Sequence, residues 1–266
     1  MKGAAEMTVF EAKGLTKTYA RGHKKLTALE DVSVTLEKGR VYGLVGNNGA
    51  GKTTLLRLMA GLGLPSAGEL SLFGVSDPGG LREARKKLGC LISEPCGYGD
   101  LSLWQNLRVQ ALLLPKERQT DLQALCRLAG LEDSVLRRSL GKCSAGQKQR
   151  YGLASALLGE PELLLLDEPL NGLDPAGVAE TRELLLRLNR ERGLTILVSS
   201  HLLGELHRIA TDYVFLRFGR VLETIPASEL DRRAEAQGLK DPEDYFLALS
   251  REAQHREGSF FGGDGP

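Results

Sequence analysis

Nine consecutive residues carry a recognisable chemistry: Gly46, Asn47, Asn48, Gly49, Ala50, Gly51, Lys52, Thr53 and Thr54. They follow the apolar run Val41–Val45 and precede Leu55–Ala60. A Gly-x-x-x-x-Gly-Lys-Thr loop between a buried strand and a helix lets backbone N–H groups converge on phosphate oxygens. The start of the helix adds its positive dipole end. From there Lys52 can reach the outer phosphates, and the Thr53 hydroxyl can hold Mg²⁺. The pattern implies a nucleoside triphosphate. By itself it leaves kinases, GTPases, transport ATPases and recombinases open, because a loop of this kind serves many chemistries.

Two further clusters fit the same chemistry. Leu163–Leu166 is a continuous apolar run of strand length, and Asp167 and Glu168 follow at its end. A carboxylate there is placed to bind Mg²⁺, directly or through water, and the next one to polarise an attacking water. The segment Lys142–Arg150 contains Ser144, Gly146 and Gln147 at the start of a helical stretch, where Ser144 can cap the helix or meet an anion. Tyr19 and His201 alone read as a strand aromatic and a surface or cap residue.

These residues need a particular frame. Val9–Ala12 and Leu29–Leu36 alternate like half-buried strands, with a turn at Arg21–Lys25. Glu69–Phe73 is another short strand. From Leu101 to Leu140 the texture changes to leucine at helical spacing, with Leu103, Leu107, Ala111 and Leu114 ending at Pro115, then Leu122, Leu125, Leu128 and Leu131. Ser144–Gly159, Thr181–Arg192 and Leu202–Ala210 read as helices. Leu194–Ser199 reads as a buried strand, and Tyr213–Leu216 with Arg220–Thr224 as a strand pair turning at Phe218-Gly219. Strand and helix alternate through the second half, which predicts an α/β core. Beyond Ile225 the chain reads either as a regulatory or dimer-packing helix or as a solvated extension, the simpler reading and the one preferred, with the glycine-rich Gly258–Pro266 disordered.

Composition narrows the partners. The chain has 266 residues, 42% hydrophobic and 26% charged, with a formal net charge of +1. That balance gives no electrostatic argument for nucleic acid or for an anionic membrane. The four cysteines, Cys90, Cys96, Cys126 and Cys143, form no Cys-x-x-Cys pair and read as reduced thiols. The first residues lack the apolar core of a signal peptide. Apolar runs fall far below the ~20 residues of a membrane helix. A soluble, cytoplasmic chain is expected.

Taken together, the motifs resemble the nucleotide-binding subunit of ATP-binding cassette (ABC) transporters over nearly the whole chain. GNNGAGKTT resembles the Walker A loop, CSAGQKQR the signature motif and LLLLDEP Walker B, while LNGLDP resembles the D-loop. His201 in VSSHLL resembles the switch histidine, and Tyr19 the aromatic that stacks on adenine. The resemblance implies a P-loop NTPase (RecA-like) α/β core with an N-terminal antiparallel β subdomain and a helical insert subdomain at about 95–145. The cassette would span 7–226 and the extension 227–266. It implies ATP and Mg²⁺ as ligands, with Glu168 and His201 catalytic and Thr53, Asp167 and Ser93 toward the metal. A second copy would offer Ser144, Gly146 and Gln147 to the ATP held by Lys52, and a separate permease chain would seat the subunit at the inner face of the membrane. Within the family the chain resembles the bacteriocin, lantibiotic and multidrug export group, and no nucleic acid is implied. A cytosolic assembly ATPase, such as one for iron–sulfur cluster biogenesis, is the alternative.

The chain departs from the family in places. Cys143 replaces the usual leucine of the signature, and Ala145 its first glycine. Where the family commonly places a glutamine, the sequence reads Leu91-Ile92-Ser93-Glu94-Pro95. Ser93, or Glu94 after a small loop shift, would substitute for it. A carboxylate accepts hydrogen bonds without donating, unlike an amide. Trp104 follows in the region where the family receives its membrane partner, as an anchor or as a core residue of the insert.

Overall fold

The computed structural model describes residues 7–22, 24–115, 121–201, 203–239 and 242–260. Two sheets and two apolar clusters organise it. The first sheet is antiparallel, with strands β1 (Thr8–Arg21), β2 (Lys24–Glu37) and β4 (Ala67–Leu72) in the order β2-β1-β4. The second contains β3 (Val41–Val45), β5 (Leu88–Leu91), β6 (Leu163–Asp167), β7 (Thr195–Ser200), β8 (Asp212–Arg217) and β9 (Arg220–Pro226). Its order is β5-β6-β7-β3-β8-β9, parallel except for the final β8–β9 hairpin.

Strand β6 shows why the central strands are apolar throughout. Side chains alternate across a strand, so Leu163 and Leu165 enter one cluster while Leu164 and Leu166 enter the other. The first cluster lies between the sheets around α1 (Lys52–Ala60), whose Leu55, Leu56, Leu58 and Met59 are buried. The second lies beneath the parallel sheet. Its helices are α3 (Leu103–Leu112), α4 (Leu122–Leu128), α5 (Asp133–Leu136), α6 (Ala145–Leu157), α7 (Pro175–Arg192) and α8 (Leu203–Leu206). A covered parallel sheet with crossover helices places the C-terminal ends of β3, β6 and β7 along one edge, where ligands of such sheets bind.

The fold class matches the expectation from sequence, with differences in detail. Helix α2 (Pro78–Arg85) and strand β5 were not expected. Both strands of the first hairpin run to 14 residues, longer than the alternation alone implied.

The C-terminal stretch corrects the sequence reading. It forms α9 (Ala227–Ala236) and α10 (Pro242–Phe260), so Gly258–Phe260 is helical; residues 261–266 lie outside the described residues. Instead of a solvated extension, Leu230, Ala234, Tyr245 and Phe246 are buried in the second cluster. Phe246 stacks on Phe215 of β8 and Tyr245 meets the same ring at a tilt, a payload that no solvated helix would carry.

Candidate active site

The turn from β3 into α1 builds the phosphate loop, and two of its glycines are sterically required. A Cβ on Gly46 would lie 2.3 Å from the Leu216 carbonyl oxygen. Gly51 caps α1 at φ 109, and a Cβ there would lie 2.6 Å from the Ala28 oxygen. No side chain caps this helix start and its first turn holds no acidic residue, so its leading N–H groups and dipole suit an anion. Asn47, Asn48 and Gly49 are exposed on the loop, Ala50 is buried, and Thr54 is half-buried in the first turn.

A set of direct contacts joins six side chains across that edge. Lys52, 6% exposed, donates to the Gly46 carbonyl at 2.6 Å and pairs with Glu168 Oε1 at 3.2 Å. Thr53 Oγ1 donates to Asp167 Oδ2 at 2.7 Å. The Ser199 hydroxyl donates to Asp167 Oδ1 at 2.7 Å and accepts from the Glu168 backbone N–H at 2.9 Å. Glu168 Oε2 lies 2.9 Å from His201 Nδ1. Ser199, near the end of β7, thus orients the Asp167 carboxylate and fixes the backbone of Glu168, whose own carboxylate is held by Lys52 and His201. Sequence reasoning missed it, because a serine at the end of a buried strand looks generic; its one signal was the step from Ile196–Val198 into Ser-Ser-His.

Backbone strain marks the same place. Glu168 holds φ 49 and Ser93 φ 69, the left-handed region that costs a residue with a Cβ about 1–3 kcal/mol and persists only where neighbours fix it. For Glu168 the fixing bonds are those to Ser199. Ser93, just past the end of β5, accepts a hydrogen bond from Arg57 Nη2 of α1 at 3.2 Å.

The remaining expected residues lie apart from this chain of contacts. Ser144 caps α6 in a reciprocal box with Gln147, at 3.3 and 3.1 Å. With Gly146 they line a cleft shared with Gly130–Glu132 and Gly172–Asp174, and no residue of the phosphate loop lines it. Tyr19 is 41% exposed near the end of β1, with Lys17 Nζ 5.0 Å above its ring. Trp104 is half-buried against the second cluster and lines a surface groove with Arg108, Gln123 and Asp133.

This arrangement can bind phosphate at the helix start, bring two hard oxygen donors of Thr53 and Asp167 together as Mg²⁺ prefers, and hold a carboxylate beside an imidazole. The residues present therefore fit a magnesium–nucleotide complex. A family model for ABC transporters matches residues 29–171, more than half of the chain.

The chain belongs to this family. The bacitracin transport ATP-binding protein BcrA of Enterococcus faecalis is 37% identical over 225 residues, covering 85% of this chain and 71% of that protein. The lantibiotic transport ATP-binding protein SrtF of Streptococcus pyogenes is 36% identical over 214 residues, covering 80% and 89%. Among solved structures, the dimeric post-hydrolysis cassette MJ0796 bound to ADP and Pi superposes with a TM-score of 0.75 at 25% identity, covering 82% of this chain and 98% of that one. The chain is an ABC-type ATP hydrolase, and ATP is its substrate. Among the described residues, no helix is long and apolar enough to cross a membrane.

Proposed function

We propose that this ATPase energises export of a peptide or drug-like cargo through a separate permease chain, to which it binds at the inner face of the membrane. Two copies of the cassette form the working unit. The observation that carries the reading is the contact chain Thr53–Asp167–Ser199–Glu168–His201 with Lys52 paired into it. The bacitracin and lantibiotic relatives support a peptide cargo, and the dimeric neighbour supports pairing.

In this reading the loop from Gly46 to Thr54 cradles the triphosphate, Lys52 turns from Glu168 to the outer phosphates, and Tyr19 stacks on the base. Thr53 and Asp167 would hold Mg²⁺, with Ser93 as a further oxygen donor, and the ion would neutralise charge on the phosphates. Glu168 takes a proton from water as its oxygen bonds to the γ-phosphorus and the bond to the ADP oxygen breaks. His201 holds the Glu168 carboxylate in place. Ser144, Gly146 and Gln147 of the second copy close over the γ-phosphate, so ATP favours the closed pair and hydrolysis releases it.

Affinity purification of the tagged chain from its native membranes tests the reading. A multi-span membrane protein that copurifies and raises the slow ATP turnover of the isolated subunit is expected. Recovery of soluble scaffold proteins alone would reverse it in favour of a cytosolic assembly ATPase. Trp104→Ala is expected to weaken that association while leaving ATP affinity intact, and lost ATP affinity would instead assign Trp104 to the core.

A further inference from the structure

The turn between β8 and β9 is bonded to the phosphate loop on one side and to α10 on the other. Gly219 N–H donates to the Ala50 carbonyl at 2.9 Å, and the Gly219 carbonyl accepts from Glu30 N–H at 2.8 Å. The Leu216 carbonyl is the atom against which Gly46 packs. Beside them Phe218 holds φ 47 with its ring 64% exposed, a strained turn that needs support from its surroundings.

That support comes from the last helix. Phe215 stacks on Phe246 with centroids 5.4 Å apart and meets Tyr245 at 6.3 Å. The Arg217 guanidinium lies 4.8 Å over the Phe218 ring and donates from Nη2 to Gln254 Oε1 at 3.2 Å. Its Nε and Nη1 are buried with no hydrogen-bond partner among the described residues. A guanidinium enclosed in this way depends on the bond that it does make, because losing that bond leaves a desolvated charge.

We propose that α10 is a positioning element of the nucleotide site, with Phe246 and Gln254 as its positioning residues. They hold the β8–β9 turn, and the turn holds the phosphate loop in the shape that receives ATP. Loosening α10 widens the range of loop conformations, so binding has more order to impose and ATP affinity falls. Strand β7 gives the carboxylates an anchor that α10 does not touch: Ser199 bonds the Asp167 carboxylate and the Glu168 backbone, and His201 the Glu168 carboxylate, so turnover at saturation is spared. The helix lies outside the span matched by the family model, and this assigns it a share of ATP affinity.

Steady-state kinetics on full-length variants, with Tm measured alongside, test this. Gln254→Leu is expected to raise KM for ATP roughly threefold or more while kcat stays within about twofold. Gln254→Glu, which still accepts from Arg217, is expected to restore the wild-type KM. Phe246→Ala is expected to raise KM further and to lower Tm. A fall in Tm with KM unchanged in both Gln254→Leu and Phe246→Ala would overturn the proposal, leaving α10 a structural cover. A loss confined to kcat would overturn it equally.

Discussion

Lys52 and Glu168 hold each other at 3.2 Å, so the ammonium that meets phosphate must first give up a carboxylate. Removing that charge favours the nucleotide. Glu168→Gln is therefore expected to tighten ATP binding about tenfold, the worth of one charge-assisted hydrogen bond of about 1.5 kcal/mol, as read by titration with a fluorescent ATP analogue. Unchanged affinity would mean that the pair does not compete. The thiols offer a second check. Burial pushes the Cys126 thiol up to about 11 and also raises that of Cys143, whereas Cys96 is exposed. A raised pKa keeps the thiol protonated, so at mildly alkaline pH Cys96 is expected to alkylate well before Cys126 and Cys143. Mass spectrometry of a time course reads the order, and early labelling of Cys143 would show that the signature segment opens.

The elements were unequally legible in the sequence, for physical reasons. The phosphate loop and the leucine strand could be read because their chemistry demands particular residue types at fixed spacing. Strand β5 has four residues, too few for a period to show, and Asp77-Pro78-Gly79-Gly80 looks like a turn although Asp77 caps α2 by accepting from Gly80 N–H at 2.8 Å. The packing of the tail is hidden in the sequence because Tyr245 and Phe246 find their partner, Phe215, in a strand 30 or more residues earlier. The positions of Tyr19, Ser93 and Ser144 are now known, while their roles rest on the proposed mechanism. Two substitutions probe the elements directly. Gly46→Ala puts a methyl into the Leu216 carbonyl, which cannot yield as a flexible side chain would, and is expected to cost about 1–3 kcal/mol along with most ATP binding. Leu165→Ala empties a fully buried site of β6 and is expected to cost about 2–5 kcal/mol in urea unfolding.

In the proposed mechanism the molecule as a whole carries two half-sites. The phosphate loop with its carboxylates lies at one sheet edge, and Ser144, Gly146 and Gln147 lie on a separate cleft. A single chain does not bring them together, and a second copy placed head to tail would. In the proposed mechanism Glu168→Gln blocks the proton transfer of hydrolysis and keeps ATP in place, so it should trap that assembly. Light scattering on the variant in ATP and Mg²⁺ is the most direct test. The mass is expected to double from the 28.9 kDa chain, with ADP leaving it monomeric. A variant that stays monomeric in ATP, or that hydrolyses it as fast as the wild type, would contradict both the shared site and the role of Glu168.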